Sequence, residues 1–348
     1  MKVLMIKVSA LGDIIHALPV ADYLKSCPAV RELHWLVEEP FTGFLSRQPS
    51  INKIQCISTK KWRQQGMLAS LKEVLTTIRR LRREKYDLVL DLQGNSKSGM
   101  FTRFSGAPLR YGFDADEVRE WPNILATNRH IGPGKTVTHI IDKNLALATS
   151  TFPGSPPPPL QGPLQADSYY LNQVEKKLSA LRKEDGALVI FHYGTTWETK
   201  LWSIESWIEL AQSLWETRAI PPLLTWGNEE ELDAVKRIAS ACPQTIVWPR
   251  GNLEELMALL KIADLVVGGD TGPIHIAAAL GTSTISLYRA TDHRRNGPRG
   301  ENHTCFQSNM DCSPCLLKTC PQDECCRQTI LPENILEAIH TLLKKQHM

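Results

Sequence analysis

The chain contains no unbroken apolar run of about 18 residues, so no membrane-spanning helix is expected. Its first residues, MKVLMIKVSALGD, offer too short an apolar stretch and no small-residue cleavage site for a secretory leader. An excess of one charge is also missing. Lys and Arg number 40 against 37 Asp and Glu, a net +3 that argues against a broad nucleic-acid surface. No Gly-x-Gly-x-x-Gly follows the first strand-like segment, which weighs against a dinucleotide-dependent oxidoreductase. The expected protein is cytoplasmic and globular, with a possible foothold on a membrane surface.

Cysteine is present but unevenly placed. Cys27, Cys56 and Cys242 are scattered and read as small apolar core residues. The other six, Cys305, Cys312, Cys315, Cys320, Cys325 and Cys326, fall in one short segment. Without a leader, a disulfide framework is the weaker reading. Cys312-x2-Cys315 followed by further cysteines can make a metal site, but the last pair is adjacent and no histidine completes a familiar spacing. No metal is assigned; reduced or facultatively oxidised thiols in a tight loop remain the alternative.

A hydrophobic fraction of 42% supports buried cores, and 348 residues suggest two domains at roughly 150 each. Apolar β-branched runs alternate with helical periodicity. Strands are expected at Val3–Val8, Leu33–Val37 and Asp87–Leu92, with helices at Leu68–Arg83 and Ser96–Phe104. On the helix Leu68–Arg83, Leu71, Val74, Leu75, Ile78 and Leu81 share one face. The segment PGSPPPPLQGP, residues 153–163, favours extended polyproline II and reads as a semi-rigid hinge. Alternation then restarts and ends in a helix over Pro332–Lys345. The fold class is α/β, two units each with a parallel sheet covered on both faces. The boundaries are 1–160, 161–330 and a final helical segment 331–348, expected to pack toward the first unit.

Ligands in such folds bind beyond the carboxyl ends of the strands. Five segments there could carry chemistry. In Ile262–Tyr288, a strand ends at Gly268-Gly269 and Asp270-Thr271-Gly272-Pro273 opens a helix, which suits a phosphate at a helix N-terminus. Asp270 could equally be a plain helix cap. His275 shares that first turn. In Ser9–Asp13, an acid one residue past a strand-end glycine can act as a general base, or merely cap the next helix. In His192–Trp202, Thr195, Thr196 and Lys200 suit a diphosphate, or form a solvated polar loop. Glu229-Glu230-Glu231 offers a carboxylate for a ribose diol, or serves only the helix dipole. Lys60-Lys61-Trp62-Arg63 places basic groups beside an aromatic, suiting an acidic, partly sugar-like ligand. Arg79–Lys85 reads as a solvated helix face that could also meet an anionic bilayer.

Taken together, KVSALGDIIHALP, HYGTTWETKLW, WGNEEE and DTGPIHIAAALG resemble, in order and spacing, the ADP-heptose:lipopolysaccharide heptosyltransferases of glycosyltransferase family 9. The resemblance spans nearly the whole chain. LHWLVEEPF and KKWR are similar to the branch that adds the first heptose, heptosyltransferase I. The resemblance implies a GT-B fold, two Rossmann-like domains facing across a cleft. It implies inverting, metal-independent heptosyl transfer from ADP-heptose to a Kdo-lipid A acceptor, in lipopolysaccharide core biosynthesis. It implies a peripheral position on the cytoplasmic face of the inner membrane, with no cofactor. By the same resemblance Asp13 is the catalytic base. Thr195, Thr196, Lys200, Glu231, Asp270, Thr271, Gly272 and His275 form the donor site, and Lys60, Lys61, Arg63 and Arg119 meet the anionic acceptor. Alternatives are a second-heptose enzyme, a GT-B transferase using another nucleotide sugar, and a metal-binding interaction protein built on the cysteines. Two departures stand out: Tyr288-Arg289-Ala290-Thr291-Asp292 replaces the family's glycine-proline approach to its Thr-Asp pair, and the cysteine-rich insert is absent from the enteric first-heptose enzymes.

Overall fold

Central strands carry near-continuous apolar runs because both of their faces are covered. In a computed structural model of the chain, β1 (Lys2–Ile6), β2 (Glu32–Glu38), β3 (Lys53–Ile57), β4 (Leu88–Asp91), β5 (Leu109–Phe113) and β6 (Arg129–Ile131) form one sheet in the order β3-β2-β1-β4-β5-β6. Every pairing is parallel. The structure describes all residues except Gln65, 154–163, 182–185 and 347–348, and omits the side chains of Lys60, Arg63, Met67, Leu68 and Gln346.

A second sheet contains β7 (Val189–His192), β8 (Leu223–Thr225), β9 (Ile246–Val247), β10 (Leu265–Gly269), β11 (Ser283–Tyr288) and β12 (His303–Gln307), again all parallel, in the order β12-β11-β10-β7-β8-β9. Counted from its own first strand, this is the same doubly wound order as in the first sheet. The order reverses between β1 and β4 in one sheet and between β7 and β10 in the other, where a crevice opens beyond the strand ends. Ile6 lies beside Asp91 and Gly268 beside His192, so the loops leaving each strand pair start as neighbours.

The chain divides into two compact units, Met1–Pro163 and Leu164–Met348. Of the expected proline hinge, 154–163 lie outside the described residues. The helices begin where short polar side chains accept orphan amides: Asn95 from Ser98, Ser203 from Ser206, Asn228 from Glu231 and Asn252 from Glu255. The last helix, Pro332–Gln346, expected to pack toward the first unit, belongs to the second. Ile335, Ile339, Leu342 and Leu343 are buried in the second unit's core with Trp202, Trp207 and Leu214. The helix Met67–Arg83 also departs from expectation. Val74, Ile78 and Leu81 pack on the first core, but Leu71 and Leu75 are exposed.

Candidate active site

Asp13 sits in the first turn of the short helix Leu11–Ile15, directly after the β1 loop. Its Oδ2 accepts a long hydrogen bond from the Ala10 amide at 3.3 Å, so the capping reading holds in part. The carboxylate remains about a quarter exposed, and Arg119 Nη1 stands 3.9 Å away. The loop beneath it is anchored from β4. Gln93 Oε1 accepts from the amides of Val8 (2.9 Å) and Ser9 (3.2 Å). The Gln93 and Gly94 amides in turn donate to Asp91 Oδ1, both at 3.0 Å. Asp91 is fully buried, with its other oxygen held by Thr102 and Asn123. A buried carboxylate thus fixes β4's loop, and that loop fixes β1's.

In the second unit, Asp270 follows β10 and is also buried. Its Oδ2 accepts from Lys200 Nζ (2.6 Å) and Thr291 Oγ1 (2.8 Å); its Oδ1 accepts from Asn296 Nδ2 (2.6 Å) and lies 3.1 Å from His275 Nε2. Burial opposes the charge on this carboxyl, but the bond to His275 and the Lys200 ammonium outweigh it and hold the group far below the usual carboxylate range. Asp270 does not cap the following helix, Gly272–Ala279; Thr271 occupies the N-cap position. The Thr271 hydroxyl is buried and, among the described residues, has no hydrogen-bond partner. Such an orphan at a helix N-terminus, beside a lysine, is a place for an anion to accept from hydroxyl, amide and ammonium together.

Thr195 and Thr196 follow β7 in the loop that continues into the turn Glu198–Lys200, and Thr196 is exposed. Among the three consecutive glutamates the structure separates roles. Glu229 and Glu230 are exposed, whereas Glu231 turns inward. Its carboxylate accepts from the Gly227 amide (2.6 Å) and Asn228 Nδ2 (2.9 Å), and burial raises its pKa. It also lies against Gly194, where a Cβ would overlap the carboxylate, so this loop needs a glycine. His192, at the end of β7, has a fully buried ring against Thr225 Oγ1 (3.0 Å), and burial lowers its pKa to about 4.

Of the residues expected to meet the acceptor, Arg119 stands beside Asp13. Lys61 Nζ pairs with Glu39 Oε2 at 2.7 Å on the surface, while the side chains of Lys60 and Arg63 lie outside the described residues. Trp62 is corrected from a ligand platform to a core residue: it is buried and packs against Phe101, ring centroids 6.3 Å apart.

The model of glycosyltransferase family 9 (heptosyltransferase) matches residues 74–325. The chain belongs to glycosyltransferase family 9. It is 32% identical over 323 residues to lipopolysaccharide heptosyltransferase 1 of Pseudomonas aeruginosa, covering 92% of this chain and 87% of the relative. It is 30% identical over 306 residues to lipopolysaccharide heptosyltransferase 1 of Escherichia coli K12, covering 87% and 92%. The solved E. coli heptosyltransferase WaaC with ADP superimposes at a TM-score of 0.77 with 26% identity, over 98% of this chain and 100% of that one. The GT-B class expected from sequence is therefore the fold of this glycosyltransferase.

The two departures of this family 9 chain have structural outcomes. Arg289 lies almost fully buried, and its Nη2 pairs with Asp323 at 2.5 Å; Thr291, two residues on, still reaches Asp270. Cys312, Cys315, Cys320 and Cys326 line one pocket together with Arg289 and Asp323. All nine cysteines are free thiols, and among the described residues no three Cys, His, Asp or Glu side chains are placed to share a metal ion. Sequence reasoning overlooked Gln93, Thr291 and Asn296 as members of the two sites. Gln93 had a signal, since a polar residue leaves β4 at the reversal of strand order. Asn296 had none, because it reaches Asp270 across 26 residues.

Proposed function

We propose that this family 9 glycosyltransferase moves L-glycero-D-manno-heptose from ADP-heptose to the Kdo-lipid A inner core of lipopolysaccharide, adding the first heptose. The observation that carries the donor half is the Lys200 ammonium held at the mouth of the Gly272–Ala279 helix, beside the partnerless Thr271 hydroxyl. Both names borne by the relatives, and the ADP in the WaaC structure, support the same reading.

In this reaction Asp13 takes the proton of the acceptor hydroxyl. The hydroxyl oxygen attacks the anomeric carbon, and the bond from that carbon to the ADP β-phosphate oxygen breaks. The electron pair leaves with ADP, where Lys200, the Thr271 hydroxyl and the helix amides meet the growing charge. One displacement inverts the anomeric centre and requires neither a covalent intermediate nor a metal. Asp270, with its donors already engaged, and His275, turned onto it, act as positioning residues for Lys200. Thr195 and Thr196 add hydroxyl donors, and Glu231 accepts from the ribose. Arg119, Lys61, Lys60 and Arg63 receive the anionic acceptor. Among the described residues no helix is long and apolar enough to cross a membrane. In this reading the enzyme works peripherally at the cytoplasmic face of the inner membrane. Exposed Leu71 and Leu75, on a helix ending in Arg79, Arg80, Arg82 and Arg83, support that placement.

The test is transfer from ADP-heptose onto heptoseless Kdo-lipid A, compared with an acceptor already bearing one heptose. Preference for the heptoseless acceptor supports the reading. Preference for the other makes this a second-heptose enzyme, and no transfer to either, with another nucleotide sugar accepted, refutes the donor.

A further inference from the structure

Trp197 carries two ammonium groups, not one. Lys200 Nζ lies 4.7 Å from its ring centroid and Lys318 Nζ lies 5.4 Å from it. Lys200 belongs to the loop after β7, but Lys318 comes from the cysteine-rich insert, more than a hundred residues later. The insert is fastened to that loop. Thr199 Oγ1 donates to the Leu317 carbonyl at 2.6 Å, so the residue before Lys318 is bonded to the residue before Lys200. The Leu316 amide donates to Ala290 O at 2.8 Å, and Ser313 Oγ donates to Arg289 O at 2.7 Å. Leu316 itself has φ of 58°, a left-handed conformation that leucine rarely adopts. The buried Arg289–Asp323 pair secures the far side of the insert.

The charges do not balance. Asp270 neutralises Lys200, whereas among the described residues Lys318 has no ion-pair partner. Two cations therefore share one half-buried indole, and only Lys200 of the two is paired with Asp270. A nucleoside diphosphate brings at least two negative charges, more than Lys200 alone can offset once paired with Asp270.

We propose that Lys318 is a second phosphate-binding cation, so that the cysteine-rich insert completes the diphosphate subsite. The proposal rests on the donor reading above and extends it. Lys318 binds the ground-state diphosphate and gains more as charge accumulates on the leaving group, so it contributes to kcat as well as to donor KM. The ring of Trp197 holds the two ammonium groups on one indole.

The test is equilibrium binding of ADP to the full chain for the wild type, Lys318→Arg, Lys318→Ala and Lys318→Glu, at two salt concentrations, with circular dichroism as the folding control. Affinity should fall in the order wild type, Arg, Ala, Glu. The Ala variant should lose about tenfold, the strength of one charge-assisted contact, and show a shallower salt dependence. The Arg variant should recover to within about threefold. Wild-type binding of ADP with equal affinity and equal salt slope across all four proteins overturns the assignment of Lys318 alone. Failure of the wild type to bind ADP overturns the donor reading beneath it.

Discussion

Asp270 Oδ2 holds the Lys200 ammonium at 2.6 Å, and both side chains are largely withdrawn from water. The lysine is thereby aimed at the N-terminus of Gly272–Ala279 instead of wandering over the surface. A buried pair is not in itself strong evidence of stability, because desolvation offsets its attraction. Breaking it from one side is costly, since the other charge is left alone. Asp270→Asn should therefore lower stability by about 3–5 kcal/mol, read from urea unfolding, and cut kcat/KM for transfer by on the order of a hundredfold. Lys200→Met should match the loss in transfer. A fully active Asp270→Asn protein would contradict the positioning role.

Gln93 is the tie between β4's loop and the loop bearing Asp13. Gln93→Leu removes the acceptor for two amides, one buried and one half-buried, and leaves both unpaired. About 1–3 kcal/mol of stability should be lost per group left unpaired. The kinetic signature should be a lower kcat with unchanged ADP affinity, because the proposed donor contacts lie in the other unit. An equal loss of ADP binding would place Gln93's influence elsewhere.

Two histidines set an acid limit. Burial lowers His192 and His303 to about 4, against an unfolded value near 6.5, so the folded chain binds fewer protons than the unfolded chain below pH 6.5. Stability from these groups is complete above pH 6.5 and is lost as pH falls toward 4. For His192 the loss is on the order of 3 kcal/mol. Urea midpoints measured from pH 7 to pH 4 should decline, and His192→Gln should flatten part of the decline. A variant whose midpoint falls as steeply as that of the wild type would refute the assignment.

Much of this organisation was legible in the residues. The central strands β1, β4, β7, β10 and β11 are runs buried on both faces, and the helices Ser96–Phe104, Glu229–Ala241 and Leu253–Ile262 start at visible caps. The strands that escaped detection, β3, β5, β6 and β12, are half-exposed or interrupted: β5 reads Leu-Arg-Tyr-Gly-Phe, and β6 only Arg-His-Ile. β3, β6 and β12 are edge strands, less covered than the centre, so their apolar signal fades, while in β5 Arg110 and Gly112 break the run. The site was legible as separate loops. Lys200 and His275 were named as donor-site residues, but their convergence with Thr291 and Asn296 on Asp270 was not legible, because these side chains meet only after folding. Trp62 misled for the opposite reason: an aromatic among lysines looks like a ligand platform, but its ring packs inward on Phe101.

The most direct measurement compares wild type and Asp13→Asn for heptose transfer from ADP-heptose to heptoseless Kdo-lipid A, with ADP binding measured on the same samples. The substitution removes the proposed base but keeps the shape of the side chain. Transfer should fall by about a thousandfold while ADP affinity stays within about twofold, since general-base catalysis typically contributes ~10²–10⁴. Transfer by Asp13→Asn at the wild-type rate would contradict the account.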